Sequence, residues 1–171
     1  GNGQLYLQTG NFMAEMNLPD SALRYYQLAM DADNRIVQPA LNAGVLLMKS
    51  ESYEEALPYL QQAVKRGPDH FSTLYNLGLV FHVLNRYDSA IQYISRAILQ
   101  EPGRSDTYYQ LACTYALAGQ KEQAILYLRQ ALERGYKNTE SLLSDPDLED
   151  LKGVKEFQSL LDKYLPDRKL P

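Results

Sequence analysis

The side chains best suited to acid–base or metal chemistry are few in this sequence and far apart. There are two histidines, His70 and His82, and one cysteine, Cys113. Zinc sites need several such ligands at short, regular spacing, and none occurs here. Cys113 and His82 could be paired as nucleophile and base, but Cys113 falls within a predicted helix. A small packed thiol is the better interpretation there.

Carboxylates and phosphate-binding motifs do not point to chemistry either. Residues 31–34 resemble the start of a calcium loop, but Ile36 stands where glycine is needed and Asn42 where glutamate is needed. Adjacent acids such as Glu149 and Asp150 fall on a polar helix face, where solvated charge is expected. The sequence contains no glycine-rich phosphate loop, GxSxG turn or HExxH helix. We therefore predict a protein that is not an enzyme and binds no metal or cofactor.

The overall composition excludes other classes of partner. The chain has 171 residues, 45% of them hydrophobic and 22% charged, with a net charge of −4. A nucleic-acid-binding protein usually carries a basic field, so we predict no nucleic-acid partner. No apolar run approaches the ~20 residues of a membrane span. The compartment stays open: the sequence is compatible with a cytoplasmic protein or an exported one whose signal was removed.

A repeat of 34 residues organises most of the chain. Its clearest signal is two alanine series, each spaced by 34: Ala22, Ala56, Ala90 and Ala124, and Ala29, Ala63, Ala97 and Ala131. The four predicted units are 3–36, 37–70, 71–104 and 105–138. Such periods are typical of proteins in which each repeat stacks on its neighbours to form one continuous core.

Each unit is predicted to form two helices. In the third unit the apolar residues recur at helical spacing over 71–84, and a second helix begins near Tyr87 and ends before Pro102. In the second unit, Ser52 and Glu55 have the spacing of a capping box at the start of the second helix.

The third unit resembles the tetratricopeptide repeat family. The matching residues are Leu74, Tyr75, Asn76, Leu77, Gly78, Phe81, Ala90, Ile94, Ala97 and Pro102. The other units match in part, so the resemblance covers 3–138. It implies an all-α fold: a right-handed helix-pair solenoid of four repeats, residues 1–138. It also implies a protein-binding scaffold.

Residues 139–171 leave the repeat period. Asp145-Pro146-Asp147 predicts a helix start and Gly153 its stop. Apolar residues then follow a helical stripe: Leu148, Leu151, Val154, Phe157, Leu160, Leu161 and Tyr164. We predict capping helices that cover the end of the stack, with a docking helix for another protein as the alternative. Residues 167–171 are expected to form a frayed tail.

Family resemblance implies that the first helix of each repeat lines a concave face. One amide side chain per unit occurs at the same register, and a carboxamide can pair with the backbone of a bound peptide. The predicted peptide-binding residues are Gln8, Asn11, Asn42, Lys49, Tyr75, Asn76, His82, Tyr109 and Gln110. The alternative for the amides is a structural role, in which they support the neighbouring helix.

Some members of the family bind acidic C-termini of chaperones through a clamp of lysine, asparagine and arginine. Here the inner positions hold Leu7, Val45, Leu79 and Cys113, and Lys49 is the one obvious inner cation. An acidic ligand would meet little compensating charge, so we predict no such clamp.

Three functional hypotheses follow. The first is a non-enzymatic scaffold that holds a peptide segment of a partner protein against the first helices. The second is a self-assembly module, in which the repeat ends or the cap pair two copies into a homo-oligomer. The third makes the chain the repeat domain of a larger multidomain protein.

Overall fold

The computed structural model describes residues 1–166, apart from the side chains of Thr139 and Ser141. The predicted frayed tail at 167–171 lies outside these residues. All regular structure in the described range is helical, as predicted from the repeat pattern. None of its helices combines the length and the hydrophobicity that crossing a bilayer requires.

Eight helices of similar length follow one another in the described residues, and three shorter elements come after them. The helices are α1 (Asn2–Glu15), α2 (Pro19–Ala32), α3 (Gln38–Lys49), α4 (Tyr53–Arg66), α5 (Phe71–Val83), α6 (Tyr87–Gln100), α7 (Ser105–Leu117), α8 (Lys121–Glu133), α9 (Thr139–Ser144) and α10 (Lys155–Tyr164). A 3-10 helix over Pro146–Leu151 lies between α9 and α10.

The chain divides into two compact units at Arg86, which is the last residue of the first unit. The first unit holds α1 to α5, and the second begins at Tyr87 with α6. Within the first unit α1 packs on α2 and α3 on α4, while α2 contacts α3 and α4 contacts α5. Within the second unit α6 packs on α7 and α7 on α8.

The first helix of every repeat ends in the same backbone turn. A residue with left-handed φ follows each one, at Asn17, Glu51, Asn85 and Gly119, again 34 residues apart. The next N–H then bonds to a carbonyl five residues back, for example from Arg86 to Phe81 at 2.8 Å and from Gln120 to Tyr115 at 2.9 Å. This is the Schellman pattern, which satisfies carbonyls at a helix end. The backbone therefore repeats with the period that the alanines predict.

The predicted capping box at Ser52 does not form. Ser52 is the N-cap residue of α4, but its side chain makes no hydrogen bond to the helix. A capping box also needs the Ser52 N–H as a donor to Glu55, and that N–H already bonds to the Leu47 carbonyl at 2.9 Å. The turn at the end of α3 therefore uses the N–H group that a capping box would need.

Small residues allow the paired helices to approach closely. All eight alanines of the two series are fully buried. Gly10 and Gly44 lie in the same register on α1 and α3. A Cβ atom at Gly10 would lie 2.7 Å from the Tyr26 ring, and one at Gly44 would lie 2.6 Å from Leu60 Cγ. Both distances are far inside van der Waals contact, so the side chains of α2 and α4 occupy the space that a Cβ would need.

Replacing Gly44 by alanine is expected to lower the free energy of unfolding by about 1–2 kcal/mol, because overpacking against Leu60 outweighs the better helix propensity of alanine. Urea denaturation measures the effect. Gly103→Ala is the matched control, since a Cβ there meets nothing within 4 Å and should change stability little. An unchanged Gly44→Ala variant would show that α3 and α4 can separate without cost.

The stripe predicted in the C-terminal segment is an internal face. Leu148, Leu151, Phe157, Leu160 and Leu161 are buried. The 3-10 helix packs on α7 and α10 packs on α8, all within the second unit. Asp145 caps the 3-10 helix by accepting a hydrogen bond from the Asp147 N–H at 3.0 Å, as the Asp-Pro-Asp sequence predicts.

Candidate functional site

The first helices of three repeats lie side by side in the first unit. α1 contacts α3, and α3 contacts α5. We call the surface formed by these three helices the first-helix face. It bears the seven first-unit residues that the sequence analysis assigned to peptide binding: Gln8, Asn11, Asn42, Lys49, Tyr75, Asn76 and His82.

A hydrogen-bonded cluster joins α1, α2 and α3 on this face. Asn11 Oδ1 accepts two hydrogen bonds, from Asn42 Nδ2 at 2.8 Å and from the Tyr26 hydroxyl at 3.0 Å. Asn11 and Asn42 are half-buried, and Tyr26 is buried. Burial raises the pKa of Tyr26, so its hydroxyl stays protonated and remains a donor. The cluster holds two amide groups in fixed positions at the edge of the core.

The amide of Asn76 is held by its own helix. Its Nδ2 donates to the Ser72 carbonyl at 2.8 Å. The side chain is half-buried, like that of Asn42 one repeat earlier. The neighbouring Tyr75 stacks on Phe71, with ring centroids 5.5 Å apart and planes 13° from parallel. The side chains of Tyr75 and Asn76 are therefore restricted.

The remaining predicted residues of the first unit differ in exposure. Gln8 and Lys49 are exposed, whereas His82 is half-buried. Val45 and Leu79, which occupy equivalent positions on α3 and α5, are also half-buried. The first-helix face thus combines amides, aliphatic surface and little formal charge.

Tyr109 in the second unit has a different environment from the one predicted. It is only 7% exposed, and its ring stacks on Tyr136 at 4.3 Å between centroids. Its hydroxyl donates to Asp145 Oδ2 at 2.8 Å. Burial, followed by the nearby Cys113 and Asp145, raises the pKa of Tyr109, so the hydroxyl remains a donor. The adjacent Gln110 is half-buried.

Asp145 collects hydrogen bonds from three groups and ties the C-terminal segment to α7. Its Oδ2 atom is bonded by Tyr109 and lies 3.8 Å from the Cys113 sulfur, while Oδ1 accepts from the Asp147 N–H. Cys113 is buried, as predicted, and burial raises the pKa of its thiol.

One group of potential metal ligands occurs in the described part of the chain. It consists of Cys113, Asp145 and Asp147, whose ligand atoms lie within 4.8 Å of one another. Both oxygens of Asp145 already accept hydrogen bonds, from the Tyr109 hydroxyl and from the Asp147 N–H. The geometry is that of a hydrogen-bond cluster between α7 and the C-terminal segment.

The repeat pattern does not predict this cluster, because Tyr109 and Asp145 are 36 positions apart and Asp145 lies beyond the last repeat. One signal was present: Tyr136 stands where the third unit has its terminal proline, and it is the ring that stacks on Tyr109. The contact between Asn11 and Asn42 was missed because the 34-residue register aligns Asn42 with Gln8 and not with Asn11.

The fold is that of an α-helical repeat protein. It has antiparallel helix pairs, small residues at a fixed register and a helix-end turn that recurs every 34 residues. Two models of the tetratricopeptide repeat match the sequence, over residues 41–106 and 105–134. The chain belongs to the tetratricopeptide repeat family. Members of this family are generally non-enzymatic scaffolds, which supports a role in protein interaction.

Several solved structures share the fold. The chain is 21% identical to a MamA protein, with a TM-score of 0.82 over 99% of this chain and 98% of that one. It is 19% identical to MamA from residue 41 to the end, from Desulfovibrio magneticus RS-1, with a TM-score of 0.81 over 96% of this chain and 94% of that one. It is 20% identical to YrrB, described as a TPR protein with an unusual peptide-binding site, with a TM-score of 0.78 over 95% of this chain and 86% of that one. No curated protein matches the sequence.

Proposed function

We propose that the protein is a non-enzymatic scaffold that binds a peptide segment of a partner protein on the first-helix face of the first unit. The amides of Asn11, Asn42 and Asn76 hydrogen-bond to the peptide backbone. Tyr75 and the aliphatic surface beside it contact the peptide side chains. Gln8, Lys49 and His82 border this region.

The observation that supports this proposal most strongly is the amide pair of Asn11 and Asn42. Their mutual hydrogen bond fixes both groups, and neither this bond nor the one from Tyr26 to Asn11 uses the Asn42 Oδ1 atom or the Asn11 Nδ2 group. An acceptor and a donor are therefore available at half-buried positions. A peptide unit offers the complementary donor and acceptor. Pre-organised groups lose less entropy on binding than mobile ones.

The chemistry of the face favours an uncharged, partly apolar peptide. Val45 and Leu79 offer aliphatic surface, and Lys49 is the one lysine or arginine among the proposed residues. A strongly acidic peptide would be poorly neutralised here. The similarity to YrrB, whose structure has a peptide-binding site, is in line with peptide binding by this fold.

Tyr109 and Gln110 occupy the equivalent positions in the second unit. The hydrogen bond from Tyr109 to Asp145 and the burial of its ring leave little of this side chain for a ligand. The proposal therefore rests on the first unit, and direct peptide contact by Tyr109 is not part of it.

The test begins with peptides selected from a random displayed library on the wild-type protein. The affinity of a selected peptide is then measured by fluorescence polarisation for the Asn42→Ala/Asn76→Ala double variant. Each lost hydrogen bond is worth about 1 kcal/mol, so we expect binding to weaken by roughly ten- to thirtyfold. Circular dichroism establishes that the variant is folded.

The matched control is Gln61→Ala, which removes an exposed amide from α4. It should bind the peptide as tightly as the wild type does. Equal affinity of the double variant and the wild type would contradict the proposed site. Failure to select any peptide would contradict peptide binding itself.

A further inference from the structure

One face of α1 is apolar, exposed and uncharged. Leu5, Thr9, Phe12 and Met16 follow one another at spacings of four, three and four, which places them on a single stripe of the helix. Leu5 is 60% exposed, Phe12 56% and Met16 58%, and Thr9 is half-buried. We call these four residues the α1 stripe. Isolated exposed apolar residues are common, but a continuous stripe of this kind marks an interaction surface.

Three of the four positions of this register are buried in the third and fourth repeats, whereas in the second repeat Leu46, the equivalent of Phe12, is half-buried. The residues equivalent to Leu5, Thr9 and Phe12 include Thr73, Leu77 and Val80 on α5, and Thr107, Leu111 and Thr114 on α7, and all six are fully buried. Each of these helices packs against the second helix of the preceding repeat, α5 against α4 and α7 against α6. The α1 stripe thus corresponds to the face on which one repeat stacks against another. No helix of the described residues packs on it.

The polar member of the stripe is prepared for burial. The Thr9 hydroxyl donates to the Leu5 carbonyl four residues back at 3.0 Å. Thr114 makes the same bond to the Gln110 carbonyl at 2.8 Å, and it is fully buried on the stacking face of α7. Covering Thr9 would therefore leave no unsatisfied donor.

We propose that the α1 stripe is covered by the α1 stripe of a second copy of this chain, in a two-fold symmetric pair. Head-to-tail stacking would place α1 of one copy against α8, the second helix of the fourth repeat, in another copy. α8 already packs against α10, so this arrangement is blocked. In a two-fold pair the residues nearest the axis face their own copies, and an uncharged stripe permits this without repulsion. Antiparallel helices also place Glu15 near the start of the partner α1, whose first turn has no acidic residue.

The size of the stripe predicts a weak pair. An exposed apolar patch of a few hundred Å² on each copy would bury on the order of 1,000 Å² in total, which is at the low end of specific interfaces. The dissociation constant is accordingly expected in the range of tens of micromolar.

Sedimentation equilibrium over a concentration series tests the pair. The wild type should shift from monomer to dimer, and Phe12→Glu should remain monomeric at concentrations at least tenfold higher. Leu99→Glu is the control, because Leu99 is an exposed leucine of α6 outside the stripe, and it should dimerise like the wild type. A wild type that is monomeric at several hundred micromolar, or a Phe12→Glu variant that still dimerises, would overturn the proposal.

Cross-linking tests the symmetry of the same pair. In an antiparallel pair the middle of one stripe faces the middle of the other, so Thr9→Cys should be joined to itself by a short bifunctional maleimide. The native Cys113 is buried and does not compete. Leu99→Cys is the control and should cross-link at least tenfold more slowly. Equal rates for the two variants would overturn the two-fold arrangement.

Discussion

Replacing Tyr109 by alanine is expected to lower the free energy of unfolding by about 3–5 kcal/mol, the usual cost of removing a buried aromatic side chain. Three losses combine. The ring is 7% exposed and leaves a cavity, the stack with Tyr136 at 4.3 Å is removed, and Asp145 loses the donor at 2.8 Å. Urea denaturation followed by circular dichroism measures the effect.

Tyr109→Phe separates the hydrogen bond from the packing. It keeps the ring and removes the hydroxyl, so about 1–2 kcal/mol should be lost. An exposed peptide-contacting tyrosine would behave differently, because its replacement by alanine would change stability by less than about 0.5 kcal/mol. A Tyr109→Ala variant as stable as the wild type would therefore return Tyr109 to the set of peptide-binding candidates.

Leu148→Ala is expected to destabilise the protein by about 2–5 kcal/mol, because a buried leucine is replaced where the surroundings relax only partly. Leu148 is fully buried on the 3-10 helix, which packs on α7. Asp145 fixes the start of that helix, so its apolar residues are held against α7 from one end. The loss should also reduce the protection of the α7 amides from hydrogen exchange.

The control for Leu148→Ala is Leu99→Ala, a truncation of the same size at a residue that is 76% exposed. It should change stability by less than about 0.5 kcal/mol. If Leu148→Ala were equally mild, the C-terminal segment would be an appendage, and its proposed role as a cap for the fourth repeat would be wrong.

The repeat pattern predicted the helices well because it rests on short-range geometry. The alanine series predicted which residues are fully buried, and the break after Leu84 coincides with the turn at Asn85. In a stack of helix pairs most contacts join elements that are close in sequence. The period of 34 therefore contains most of the information that places one helix against the next.

The details that sequence reasoning missed depend on contacts without a periodic signal. The capping box at Ser52 failed because the preceding turn uses the same N–H, a competition visible only in three dimensions. Asp145 and Tyr109 meet across a segment that leaves the repeat pattern. The bond between Asn11 and Asn42 joins two different register positions, so aligning the repeats does not reveal it.

Side-chain amide resonances can show whether a partner peptide binds on the first-helix face. The NH₂ groups of Asn11, Asn42 and Asn76 give nuclear magnetic resonance signals that respond to a new hydrogen bond. On titration with a library-selected peptide, we predict that these three signals shift, while those of Gln61 on α4 and Gln92 on α6 stay in place. Shifts confined to Gln61, Gln92 or the residues of α10, with the three asparagine signals unchanged, would contradict peptide binding on this face.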